Sequence, residues 1–206
     1  MAALTYLPAE RSQPALSGEA ACLARMPIVP GATSDVPADP LAIGSAAPLP
    51  PVSFEQLAQV SCSLVDKVTA MLPGGRFPPS NWRGEPPFQT VESDGGLRAA
   101  ARTADGSFGV LIVPVTTASP TPPGRQGKLE TLPDGTTVAI TTDFGYFGDK
   151  GSRMITVQRR TQGTVILVMA DNVRTVRPGV ATDGDPILTE DQLTQIAAMP
   201  ELEVFG

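Results

Sequence analysis

"TADGSFGVLIVPV", residues 103–115, places a glycine turn before a serine and then a run rich in aliphatic and β-branched residues. The same order returns in "LPDGTTVAITTDF" (132–144) and in "RTQGTVILVMA" (160–170). A glycine turn leading into such a run marks the second arm of a β-hairpin. Each has a first arm upstream, "GLRAAART" (96–103), "GKLETL" (127–132) and "RMITVQRR" (153–160), in which polar residues interleave with apolar ones. That interleaving suits strands solvated on one face. "FQTVES" (88–93) adds one more candidate. The reading is an antiparallel meander of about six strands, or seven with this last one. "TTASPTPPGRQG" (116–127) interrupts it, because its prolines forbid a central strand.

A helix is expected on each side of the strands. In "VSFEQLAQVSCSLVDKVTAMLPGG" (52–75), Ser53 and Gln56 have the spacing of a capping box, and Val52 and Leu57 that of a hydrophobic staple. Phe54, Leu57, Leu64, Val65, Val68, Met71 and Leu72 follow at helical spacing, until Pro73-Gly74-Gly75 ends the run. "PILTEDQLTQIAAMP" (186–200) repeats the signals: Thr189 with Gln192 as the box, Leu188 with Leu193 as the staple, and Glu190 and Asp191 at the positive end of the helix dipole. A helix this short is marginal alone. Its stripe of Leu193, Ile196 and Ala197 must dock, and the apolar face of the sheet beside the Ser53 helix is the natural surface. The expected fold is α+β: an antiparallel sheet with an N-terminal and a C-terminal helix packed on one face.

Residues 1–52 read differently. Nine prolines, from Pro8 to Pro51, recur among Ala, Ser and Gly without a lasting apolar period, and this marks a disordered proline-rich tail or linker before a single domain at 53–206. A helical turn or two at 18–26 is the alternative within it. The first residues have no basic n-region or continuous apolar h-region, so no signal peptide is expected, and neither cysteine follows a lipoprotein-like segment. No run reaches the ~20 apolar residues of a membrane helix.

Composition narrows the chemistry. The net charge is −6, Arg supplies 12 of the 15 basic residues, and only Arg159 and Arg160 adjoin, so nucleic-acid binding is not expected. The chain has no histidine, which excludes Ser-His and Cys-His nucleophile pairs and His-rich zinc sites within it. The two cysteines, Cys22 and Cys62, supply at most one disulfide or two ligands. Cys62 reads as a small packed thiol, and a Cys22–Cys62 bridge is not expected, because Cys22 lies in the tail. No cofactor is expected.

Two acidic loops and one aromatic are candidate sites. Asp183, Asp185, Glu190 and Asp191 gather oxygen ligands, but their spacing is not that of an EF-hand, and no metal is expected. Asp143, Asp149, Lys150 and Arg153 flank the turn "DFGYFGDKGSR". A solvated hairpin tip explains them better than acid–base chemistry, and no catalytic residue is assigned. "DFG" here is no kinase motif, since the accompanying kinase residues are absent. Trp82 with Arg83 offers a contact for a protein partner, against the commoner role of a Trp covering the end of a core.

The order of features carries a resemblance. A helix ending in "MLPGG", the strand region "TLPDGTTVAIT", a further hairpin, the loop "RPGVATDGDPILTEDQLTQIA" and a terminal helix together resemble the C-terminal extracytoplasmic domain of uncharacterised actinobacterial membrane-anchored or secreted proteins. The resemblance spans roughly residues 53–206 and implies a location outside the cytoplasm. It implies no activity, and this chain lacks the upstream membrane segment. The function expected is a non-enzymatic interaction or envelope-associated domain on a proline-rich stalk, with a protein partner at the cell envelope. The alternative is a small-ligand-binding or hydrolytic domain using acidic and Arg side chains on the exposed sheet face.

Overall fold

The computed structural model describes residues 52–71, 91–93, 96–103, 105–115, 127–145, 151–173 and 184–205. Helix α1 (Phe54–Met71) precedes seven strands: β1 (Val91–Ser93), β2 (Gly96–Arg102), β3 (Ser107–Pro114), β4 (Lys128–Thr131), β5 (Thr137–Phe144), β6 (Arg153–Arg160) and β7 (Thr164–Asp171). Helix α2 (Glu190–Ala197) and a 3-10 turn (Pro200–Leu202) follow. The three hairpins expected from the glycine turns all form, as β2–β3, β4–β5 and β6–β7, and every pairing is antiparallel. Gly135 makes the middle turn with φ +82, a backbone conformation that L side chains rarely adopt.

The strand order is β1-β2-β3-β7-β6-β5-β4, which refines the expected meander. Two meanders, β1–β3 and β4–β7, are joined where β3 pairs with β7, while β4 lies at the far edge. Composition explains the placement. SFGVLIVP and TVILVMAD are the most apolar strands and gain most from neighbours on both sides, whereas KLET is charged and stays exposed at an edge.

The register sorts residues into faces. Ala99, Val110, Val168, Val157 and Ile140 stand in one row across the sheet, and Leu97, Ile112, Ile166, Arg159 and Val138 in the next. All are buried, on the side covered by the helices. Leu193, Ile196 and Ala197 of α2 pack over β6 and β7, and Val60, Leu64 and Val68 of α1 belong to the same core. Both expected capping boxes are present. Gln56 N donates to Ser53 Oγ at 3.2 Å and Ser53 N to Gln56 Oε1 at 3.1 Å. Thr189 N donates to Gln192 Oε1 at 2.9 Å and Gln192 N to Thr189 Oγ1 at 3.3 Å. Gln192 also works outside its own helix. Its Nε2 donates to Met71 O at 3.1 Å, satisfying a carbonyl at the C-terminal end of α1 that has no partner within the helix.

The expected apolar face of α1 is correct at Leu64 and Val68, which are buried, and at Leu57, Val65 and Met71, which pack against the core, but it omits Val60, and the thiol reading of Cys62 is wrong. Cys62 is 0 % exposed and disulfide-bonded. The only other cysteine in the sequence is Cys22, which lies outside the described residues. At ~100° per residue, Ala58 and Cys62 lie roughly opposite Val60 and Leu64, and they form a second small buried cluster. The helix is therefore covered on two sides. A surface-helix pattern anticipates only one, because it records spacing along the helix and not its tertiary surroundings. Of the disordered tail expected at residues 1–52, 1–51 lie outside the described residues, and Val52 packs against the core.

Docking of α2 has a direct test. Leu193→Ala and Ile196→Ala should each cost roughly 2 to 4 kcal/mol in denaturant unfolding. Thr189→Ala should cost about 1 kcal/mol, since it removes only the cap. An unchanged midpoint at Leu193 and Ile196 would mean that the helix is not part of the cooperative core.

Candidate functional site

The two loops singled out by their acidic residues meet at one end of the sheet, and the C-terminal end of β7 brings them together. Asp171 is 7 % exposed. Its Oδ1 accepts from Ser107 N at 3.0 Å and Val173 N at 2.9 Å, and its Oδ2 accepts from the Ser107 hydroxyl. Burying a carboxylate is costly unless donors surround it, and here three do. The main chain is equally crowded at this point. A Cβ on Gly106 would come within 2.1 Å of Asp171 O, so glycine is what lets the β2–β3 turn approach so closely.

Asn172, also buried, ties three segments together. Its Oδ1 accepts from Arg153 N at 2.8 Å, while its Nδ2 donates to Gly151 O at 3.1 Å and to Gly184 O at 2.9 Å. Every polar atom of the amide is used. The β5–β6 connection and the loop leading to α2 are thus held to the end of β7 by one side chain.

What this clamp presents to solvent is a small mixed surface. Arg153 pairs with Asp185, and its guanidinium lies over the Phe144 ring, 5.2 Å from the centroid. Phe144 is 68 % exposed. Arg and large aromatic side chains are enriched among the residues that anchor interfaces, and here the ring attracts the guanidinium and so restrains it. Among the expected site residues, Arg153 and Asp185 come together here. Glu190 and Asp191 instead add slightly to the raised pKa of Lys128, which is due chiefly to its hydrogen bond and charge interaction with Glu130. Asp149, Lys150, Asp183, Trp82 and Arg83 lie outside the described residues. Among the described residues no three acidic or cysteine side chains converge as a cation site requires.

A second polar node lies toward the other end of β6. Arg159, 5 % exposed, pairs with Glu203 Oε1 at 2.7 Å and Asp134 Oδ2 at 3.3 Å, and donates to Ala197 O at 3.3 Å. It joins the β4–β5 turn, the last carbonyls of α2 and the segment after the 3-10 turn, although its Nε remains buried without a partner. The Asp134 carboxyl is held below its ordinary value, first by the Thr136 hydroxyl and amide and then by Arg159. Sequence reasoning passed over Arg159. The signal was a lone Arg at an inward-facing position of an alternating strand.

The opposite face of the sheet is aliphatic at its centre. Leu111 and Leu167 are cross-strand partners, as are Gly109 and Met169, and Leu167 is flanked by Gln158 and Met169 by Thr156. These side chains are half-buried. Arg98 and Arg160 stand beside Leu111 and Val165 on different strands. Two open, polar grooves lie on the helical side. One, of about 380 Å³, is lined in part by Ser63, Asp66, Lys67 and Glu201, and the other, of about 170 Å³, by Gln56, Gln59 and Glu203. No family model, curated protein or solved structure compared with this chain matches it.

The clamp and the surface it presents should separate on mutation. Asn172→Ala should cost roughly 1 to 3 kcal/mol, as it removes three hydrogen bonds that hold two loops to the end of β7, whereas Phe144→Ala should stay within about 0.5 kcal/mol. Asp134 gives a pH signature. Its depressed folded pKa contributes stability that is fully present above the ordinary 3.8 and is lost as pH falls through the folded value. Thr136→Val should therefore be less stable than wild type at neutral pH, with the gap narrowing as pH falls below the ordinary 3.8 and through the folded value. Urea midpoints at several pH values measure it.

Proposed function

We propose that this chain is an extracytoplasmic, non-enzymatic interaction domain that meets a protein partner at the cell envelope. The observation that carries the location is the disulfide at Cys62. Structural disulfides form and persist in oxidising compartments and are rare in a reducing cytosol. The resemblance of the element order to the extracytoplasmic domains of actinobacterial envelope proteins points the same way. Among the described residues no helix is long and apolar enough to cross a membrane, and the stalk role rests on the proline density of residues 1–52.

The interaction reading rests on the surfaces. The buried carboxylate of Asp171 accepts from Ser107 and Val173, an arrangement that suits a structural group. The sheet–helix interface is filled by large side chains such as Phe108, Leu64, Leu193 and Leu202. The Arg153–Phe144 surface and the aliphatic sheet face suit protein contact. Acidic and Arg side chains do not dominate that face, so the hydrolytic alternative has less support.

Thiol counting tests the location. Protein isolated from its native cells and denatured without reductant should show no maleimide-reactive thiol, and two after reduction. Two reactive thiols before reduction would remove the support for an extracytoplasmic site. Cys62→Ser should cost about 2 to 4 kcal/mol of stability in the oxidised protein and far less in a reduced one.

A further inference from the structure

We infer that the β4 edge is a self-complementary surface through which two copies of this chain pair into one continuous antiparallel sheet. Strand β4 is the last in the sheet, with β5 on one side. Its central residue, Leu129, is 72 % exposed, an unusual exposure for a leucine in a strand. Its cross-strand partner on β5 is Ala139, too small to cover it.

The ladder geometry decides which main-chain groups face outward. Leu132 N donates to Thr136 O at 2.7 Å, closing the β4–β5 turn with a hydrogen-bonded pair. Hydrogen-bonded and non-hydrogen-bonded pairs alternate along an antiparallel ladder. Thr131–Thr137 and Leu129–Ala139 are then non-hydrogen-bonded pairs, and the N–H and C=O of Leu129 and Thr131 point away from β5. An edge strand in this state is a template for a further strand.

The side chains select the added strand. In an antiparallel pair with its two-fold axis at Leu129, that residue faces its own copy and exchanges two N–H to C=O bonds with it. Lys128 then stands opposite Glu130 of the second copy, and Glu130 opposite the second Lys128. Both ion pairs fall on the helix side of the sheet, because the register aligns these residues with inward-facing Ile140 and Val138. Within one chain Lys128 Nζ lies 3.2 Å from Glu130 Oε2, and both side chains remain accessible. The sequence Lys-Leu-Glu is thus charge-complementary to itself when reversed, the condition an isologous contact requires. The two exposed leucines cover one another on the open face. A parallel strand, or one shifted by a residue, loses the charge match. This inference does not depend on the cellular location proposed above.

Sedimentation velocity on the full chain, from ~10 μM to ~1 mM, spans the range expected of an interface this small. A reversible monomer–dimer equilibrium is expected. Lys128→Glu and Glu130→Lys each replace two attractions with two repulsions and should weaken the dimer about tenfold or more. A 1:1 mixture of the two variants should restore association, as a heterodimer. Leu129→Pro removes only an outward N–H, which edge strands tolerate, and should abolish the dimer. If that variant does not fold, the two charge variants, which leave the backbone intact, still decide the matter. A wild type that stays monomeric throughout overturns the inference. So do charge variants that dimerise like wild type, or a mixture that fails to associate.

Discussion

The pairing of β3 with β7 is the contact on which the rest of the domain depends. Seven cross-strand pairs, from Phe108–Ala170 to Pro114–Thr164, join two meanders that would otherwise each expose a long apolar edge. Closing this contact costs chain entropy, because 49 residues lie between Pro114 and Thr164 (164 − 114 − 1). It is offset by burying Phe108, Val110, Ile112, Ile166 and Val168 in the middle of the sheet, where the helices cover them. Everything at the ends of these strands inherits its position from that register.

Polar groups then specify what apolar burial leaves loose. Hydrophobic contact alone would let the connecting loops settle in many arrangements. Asp171 and Asn172 remove that freedom at one end of the sheet, and Arg159 does so toward the other. Each is buried, and each draws its partners from segments distant in sequence: Ser107, Gly151 and Gly184 at the first node, Asp134, Ala197 and Glu203 at the second. Such groups are costly to bury and are tolerated because their partners are fixed. The C-terminus is secured likewise, with Thr164 Oγ1 donating to Phe205 O at 2.6 Å and accepting from Phe205 N at 3.1 Å.

This division of labour bears on function. The sheet and the helices supply the buried core, while the exposed apolar side chains lie at its margins: Phe144 beside Arg153 at the loop end, and Leu129 at the β4 edge. The disulfide at Cys62 adds a covalent constraint on the outer side of α1, opposite the core. A domain braced in this way fits surroundings where thiols are oxidised and proteins meet through exposed faces.

Local signals were legible without the structure wherever the cause was itself local. Both capping boxes, the glycine turns and the three hairpins they mark depend on residues a few positions apart, and each appears where its spacing placed it. The strand order was not legible, since an antiparallel pattern shows that a strand pairs without showing with which strand. Nor was the candidate surface: Arg153 and Asp185 are 32 residues apart and meet only because Asn172 draws two loops to the end of β7. The partner of Cys62 lies at a distance that helical spacing does not address. Secondary structure here followed from the sequence alone, because backbone hydrogen bonds and caps act between neighbours. The sheet order, the buried polar nodes and the exposed surfaces were decided only by the tertiary structure, because they depend on which distant residues the core brings together.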